Sequence, residues 1–242
     1  MNLIADARIL LQLALGSARR GSHAERLQAF YRPQAAHYDA FRERLLHGRE
    51  DLILRLRPPP GGTVVELGGG TGRNLEYFGD RLLSFARVEV VDLCPALLEQ
   101  ARNRCARWPG VAVVIEADAT TYHPANLVDC VYFSYALTMI QDWRVAVDNA
   151  LAMLRPGGLL GVVDFYVPSR KPGGAFSRSG GLARSFWRHW FRHDGVFLDP
   201  QHLPYLIGHT TPVSCEERLA KVPYLPGMRV PYFLYIGRKL AV

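Results

Sequence analysis

Between Val64 and Asp92 the chain reads Val-Val-Glu-Leu-Gly-Gly-Gly-Thr-Gly, then a helix-like stretch, then Val-Glu-Val-Val-Asp. No other feature constrains the fold as strongly. The run Thr63 to Leu67 is a short buried-strand pattern, and Gly68, Gly70 and Gly72 let the backbone turn sharply and approach a ligand where a side chain would collide. A second strand pattern, residues 86–91, leads into Asp92, whose carboxylate is placed to accept hydrogen bonds from ribose hydroxyls. Strand, glycine turn, helix, strand and acid together predict an α/β chain with a site for an adenosyl cofactor.

The same geometry serves nicotinamide dinucleotides, whose fingerprint reads G-x-G-x-x-G. Here the spacing is E-x-G-x-G-x-G, with Glu66 before the first glycine and no glycine at the third dinucleotide position. That form resembles motif I of class I S-adenosylmethionine-dependent methyltransferases. The resemblance continues through Glu116-Ala117-Asp118-Ala119 after a strand-like stretch 111–115, Asp129 to Ser134 as a fourth strand, and Leu154-Arg155-Pro156-Gly157-Gly158 as the turn before the fifth. It implies a Rossmann-like fold, a seven-stranded mixed sheet with helices on both faces. It also implies S-adenosylmethionine as cofactor. Glu66, Gly68, Gly70 and Gly72 would hold its amino acid end, Asp92 and Leu93 its ribose, Asp118 and Ala119 its adenine edge, and Ser134 the end of strand four beside it.

The 242 residues suit one such domain with additions, and 49% hydrophobic content supplies a core. No run of 18 apolar residues is present, and no signal peptide is clear, because the apolar start carries Asp6 and Arg8 and lacks a small-residue cleavage site. Cys94, Cys105, Cys130 and Cys215 show no paired spacing, so neither a disulfide frame nor a metal site is indicated, and a reducing cytoplasm is the expected setting. Arginine greatly outnumbers lysine, the pattern of a GC-rich genome, which favours a bacterial source.

Three segments organise the chain. Residues 1–57 read as a helical extension and flap, and residues 58–242 as the catalytic domain, with 169–210 as a lid or membrane-facing insertion. Pro58-Pro59-Pro60-Gly61-Gly62 marks the first break, since proline ends a helix and restricts the residue before it. Residues 168–181, rich in Gly, Ser and basic residues, read as a loop. Leu3, Ile4, Ala7, Leu10, Leu11, Ala14, Leu15 and Ala18 fall on one helical face. That amphipathic helix is compatible with packing on its own core, covering a partner subunit, or lying in a membrane interface.

Residues 182–193 are more pointed. Arg184, Arg188 and Arg192 line one side of a helix, with Phe186, Trp187, Trp190 and Phe191 on adjoining faces. Aromatic rings beside arginines suit a membrane surface, where indoles sit at headgroup depth and guanidinium groups meet phosphates. A lid with its aromatics buried over the active site is the competing reading, and a lid over a lipid substrate satisfies both. His189 and His193 have the spacing of metal ligands, but no adjacent Glu completes a zinc-hydrolase motif, so no metal is expected.

A formal charge of +7 raises nucleic acid as a partner. Against it, the position after strand four reads Ser134-Tyr135-Ala136-Leu137, without the Asp/Asn-Pro-Pro-aromatic signature of amino-methylating nucleic acid enzymes, and Cys130 lies inside an apolar strand rather than after a proline. A small acceptor or a lipid is expected instead.

The flanks narrow the family. Phe30 to Asp39, Ser134 to Trp143, Val163-Asp164-Phe165-Tyr166, Pro223 to Gly227 and Val230-Pro231-Tyr232 resemble the methyltransferase of betaine lipid synthesis. Gly69 stands where relatives often have Cys, and Cys94 where Ser is common, and neither change removes a group the chemistry needs. The resemblance implies successive N-methylation of diacylglyceryl-homoserine at the inner membrane face, with a separate enzyme supplying that lipid. An alternative acceptor is phosphatidylethanolamine or a quinone-type molecule. Transfer of the cofactor's aminocarboxypropyl group, or cofactor binding without turnover, are further possibilities that the sequence leaves open.

Methyl transfer demands that the acceptor lone pair align behind the carbon–sulfur bond, and the reacting amine must be neutral. Aromatic faces that hold cationic groups are more useful than a strong base, at roughly 0.5 to 2 kcal/mol each. Tyr31, Tyr38 and Tyr135 are the candidates, with packing as the alternative for each, and Asp164 is an acceptor for the headgroup's ammonium form; Arg49 is a candidate either to meet a carboxylate of cofactor or homoserine or to stand in solvent.

Overall fold

A computed structural model of the protein describes residues 43–167, 187, 196, 198–222 and 229–240. Strands β1 (Thr63–Leu67), β2 (Arg87–Asp92), β3 (Ala112–Glu116), β4 (Val128–Ser134), β5 (Leu154–Phe165), β6 (Thr210–Lys221) and β7 (Arg229–Lys239) form one sheet in the order β3-β2-β1-β4-β5-β7-β6. The first five run parallel, and β7 is antiparallel to both β5 and β6. This is the expected mixed seven-stranded sheet.

The parallel strands are near-continuous apolar runs because both of their faces are covered. Alternation along each strand sends Val64, Cys130 and Tyr132 to one face and Val65, Val131 and Phe133 to the other. On the first face the sheet packs against Leu52 and Ile53 of helix α1 (Arg49–Arg55), Leu75 and Leu82 of the 3₁₀ segment Arg73–Ser84, and Ala101 and Cys105 of α2 (Pro95–Cys105). The second face carries Ala146, Val147 and Ala150 of α3 (Trp143–Met153) and Leu206 of α4 (His202–His209).

Local chemistry sets the ends of these elements. Pro95 opens α2, where its missing N–H costs nothing, and Arg102 and Arg104 sit in the last turn against the helix's negative end. The helical stretch expected after the glycine turn is a 3₁₀ winding interrupted at Gly79, where φ is 56°. The Pro156-Gly157-Gly158 turn lies inside β5, as an irregularity between Leu154, which pairs with Val128, and Leu159, which pairs with Cys130.

The chain order reverses at β1, with β2 and β3 to one side and β4 onward to the other. The carboxyl ends of β1, β2 and β4 therefore bound a crevice at the switch point, where open α/β sheets take ligands. Among the described residues no helix is long and apolar enough to cross a membrane. The amphipathic start, Tyr31, Tyr38, the 168–181 stretch and residues 223–227 lie outside the described residues. So does all of the arginine and aromatic helix except Trp187, which is buried in the first core face.

Candidate active site

The glycine turn is built by its neighbours on β2. The Gly68 and Gly69 N–H groups both donate to Val91 O, at 2.8 and 3.0 Å. Gly70 N donates to Asp92 Oδ2 at 2.8 Å, and Cys94 N donates to Oδ1 at 2.9 Å. Asp92 thus ties the β1 turn to the β2 turn and lines the cleft between them together with Leu93. At Gly68, φ is +70° and a Cβ would stand 2.5 Å from that of Ala136, so only glycine brings the β1 turn this close to the end of β4. Gly68 and Gly70 line the cleft, whereas Gly72 is not part of its lining and caps the start of the 3₁₀ segment.

Glu66 is fully buried and lines the cleft floor. Its Oε1 accepts from Asn74 Nδ2 at 2.6 Å and its Oε2 from the Tyr132 hydroxyl at 2.9 Å. Burial pushes the carboxyl up to about 7, against the opposing pull of those two hydrogen bonds and of the Arg49 charge. Sequence reasoning missed Asn74 and Tyr132. Glu66 and Tyr132 are paired in register on adjacent parallel strands, which places their side chains next to each other on one face.

At the far end of the cleft, Asp118 Oδ1 accepts from Thr120 N at 2.8 Å and from Thr120 Oγ1 at 2.7 Å, which fixes the turn that carries Ala119. Both Asp118 and Ala119 line the cleft, with apolar Leu97, Met139 and Ile140. Ser134 lines it at the end of β4, and its buried Oγ has no hydrogen-bond partner among the described residues. The same holds for Arg49 Nη2, on a side chain only 7% exposed.

Two of the expected catalytic residues are described. Tyr135 lines the cleft, but its hydroxyl donates to His47 O at 2.6 Å and its ring meets the Phe165 ring edge-on with centroids 4.6 Å apart. Asp164 is not part of the cleft lining. Its fully buried carboxylate accepts from Thr138 Oγ1 and Phe165 N, each at 2.8 Å, and from Thr138 N at 3.2 Å. It pins the 3₁₀ turn Leu137–Met139 to the end of β5, and burial pushes it up to about 7. Tyr31 and Tyr38 lie outside the described residues.

The residues present fit an S-adenosyl ligand: a turn closed to any Cβ at Gly68, carboxylates at the ends of β2 and β3, an apolar slot beside Asp118, and two orphaned buried polar groups, on Arg49 and Ser134. A family profile described as a methyltransferase domain matches residues 38–212, well over half of the chain. The chain belongs to this methyltransferase family. It is an S-adenosylmethionine-dependent methyltransferase of class I fold. The ubiquinone/menaquinone biosynthesis C-methyltransferase UbiE of an Enterobacter species is 25% identical over 178 residues, 70% of this chain and 71% of that protein. Among solved structures, the N-methyltransferase NodS from Bradyrhizobium japonicum, in complex with S-adenosyl-L-homocysteine, superposes with a TM-score of 0.58 at 21% identity, covering 79% of this chain and 85% of that one. The 1,6-didemethyltoxoflavin-N1-methyltransferase of Burkholderia thailandensis gives 0.61 at 21% identity, covering 92% of each chain. At such identities these structures share the fold of the methyltransferase.

Proposed function

We propose that this methyltransferase N-methylates the amine of a lipid-borne amino acid headgroup, diacylglyceryl-homoserine, in successive rounds. One observation carries the choice of an amine. The described residues lining the cleft include Glu66, Asp92, Asp118, Asp142, Arg49 and Arg73, but no His, Lys or Cys. An amine that arrives neutral presents its lone pair without a strong protein base, so a site that positions it, with carboxylates near for the released proton, is sufficient.

The bound cofactor supplies an electrophilic methyl group on a sulfonium. Its amino acid end is assigned to the Gly68–Gly70 turn, with Arg49 donating to its carboxylate; Asp92 and Leu93 take the ribose, and Asp118 and Ala119 the adenine edge. Ser134 lines the cleft with a hydroxyl that has no partner among the described residues. The ring of Tyr135, with Tyr31 and Tyr38 from the flap, is assigned to the cationic methylammonium stages by cation–π attraction. A released proton needs only water or a cleft carboxylate. The lipid assignment is supported by the flanking stretches that resemble the betaine lipid enzymes and by the alternation of arginine and aromatic residues in 182–193. On this reading the enzyme works peripherally at the inner membrane face, after an enzyme that makes its acceptor.

The relatives' names favour a second reading, C-methylation of a quinone precursor. Mass spectrometry of lipids from a host expressing the chain, alone and with a source of diacylglyceryl-homoserine, separates the two. One, two and three added methyls on that lipid support the first reading. A methylated quinone with no change in the lipid amine replaces it with the second.

A further inference from the structure

We propose that Tyr135 is a positioning residue, whose hydroxyl holds the His47-Gly48 turn so that the Arg49 guanidinium stands at the carboxylate end of the cofactor cleft. The proposal rests on the assignment of Arg49 to the cofactor's carboxylate.

Tyr135 is the one non-glycine residue with positive φ among those described, at 55°. Such a conformation is unfavourable for a bulky side chain and persists where the surroundings impose it. Three contacts impose it here. Its N–H donates to Val163 O at 2.8 Å, its ring packs on Phe165, and its hydroxyl donates to His47 O at 2.6 Å. Glycine would relieve the backbone but could not make the last bond, which joins the end of β4 to a turn 88 positions earlier.

That turn has little freedom to move. Gly48 has φ +80°, and a Cβ there would lie 2.7 Å from Tyr232 Cε2 on β7, so the turn is seated directly on the sheet. Gly48 O accepts from Leu52 N at 2.9 Å and begins α1. The next residue is Arg49, whose Nε donates to Leu46 O at 3.3 Å while Nη2 stays buried and unpaired at the cleft. A buried guanidinium N–H without an acceptor is costly, and a carboxylate arriving in the cleft satisfies it with a charge-assisted bond. The hydroxyl of Tyr135 therefore acts two residues away from the group it serves, through the backbone of His47 and Gly48.

The test is calorimetric binding of S-adenosylhomocysteine, which has the carboxylate, and of methylthioadenosine, which lacks the amino acid end. Arg49→Gln and Tyr135→Phe are each expected to weaken S-adenosylhomocysteine about tenfold and to leave methylthioadenosine within about twofold of wild type. The double variant is expected to be no weaker than Arg49→Gln alone. Retained methylthioadenosine binding also reports that Tyr135→Phe is folded at the adenine half of the site. If Arg49→Gln leaves S-adenosylhomocysteine affinity unchanged, the carboxylate assignment fails and the proposal with it. If Arg49→Gln weakens binding but Tyr135→Phe does not, or if Tyr135→Phe weakens or abolishes both ligands alike, the positioning role alone is overturned. Additive effects in the double variant overturn it as well.

Discussion

Glu66 shows how a motif residue acquires its properties from partners the motif does not contain. Its carboxyl rises from 4.5 to about 7 chiefly because it is buried. The folded state thus holds its proton more tightly than the unfolded chain. The resulting stabilisation is complete below pH 4.5 and is lost as pH rises through about 7. Urea unfolding of Glu66→Gln across pH 5 to 8 should show a decline shallower by about 3 kcal/mol than wild type. Part of the slope should remain, because Asp164 is raised in the same direction. An identical slope in the variant would show that Glu66 does not titrate in this range. Asp92 braces the Gly70 and Cys94 N–H groups while lining the cleft. Asp92→Ala should weaken cofactor binding by about 1 to 3 kcal/mol in calorimetry. Unchanged affinity would end the ribose assignment. The glycines and both acids are visible in the sequence because spacing along one strand and one turn defines them. Tyr132 and Asn74 are not, since their proximity to Glu66 depends on which strand lies beside β1.

At the scale of elements, β1 to β4 could be read to within a residue or so, for their apolar runs are bounded by glycine, proline and charge, whereas β5 already begins at Leu154, in the stretch read as the turn before it. The 3₁₀ winding of Arg73–Ser84 could not, as the same residues favour an ordinary helix, and neither could its break at Gly79, which shows only in the backbone angles. Nor could the function of Asp164. Read along the chain it is an acid at a strand end, a position where ligands are met; in the fold that end is covered by the Leu137–Met139 turn, whose donors it satisfies. Asp164→Ala leaves the buried N–H groups of Thr138 and Phe165 without their acceptor, and should lower stability by about 2 to 4 kcal/mol in denaturant unfolding. A loss under about 0.5 kcal/mol would mean that the turn is held by other contacts.

For the whole molecule, the charge of +7 and the arginine and aromatic stretch bear on where the enzyme works. Replacing Arg184, Arg188 and Arg192 together with Glu should abolish co-sedimentation with anionic vesicles while leaving cofactor affinity intact. Vesicle binding that survives the triple change would remove that stretch from the membrane contact. Trp187 is buried in the core face that also holds Tyr135 and Phe165, so part of this stretch serves packing whatever its arginines do. The sequence by itself determined the α/β class, the glycine turn, the two acids after β2 and β3, and hence the cofactor, because each is written in residues close together along the chain. Tertiary structure alone decided that Asp92 braces the turn it faces, that Glu66 is buried beside Tyr132, that Asp164 is buried against the Leu137–Met139 turn, and that Tyr135 reaches back to His47. Those outcomes depend on strand order and register, which bring together residues far apart in sequence and set how much water each polar group retains.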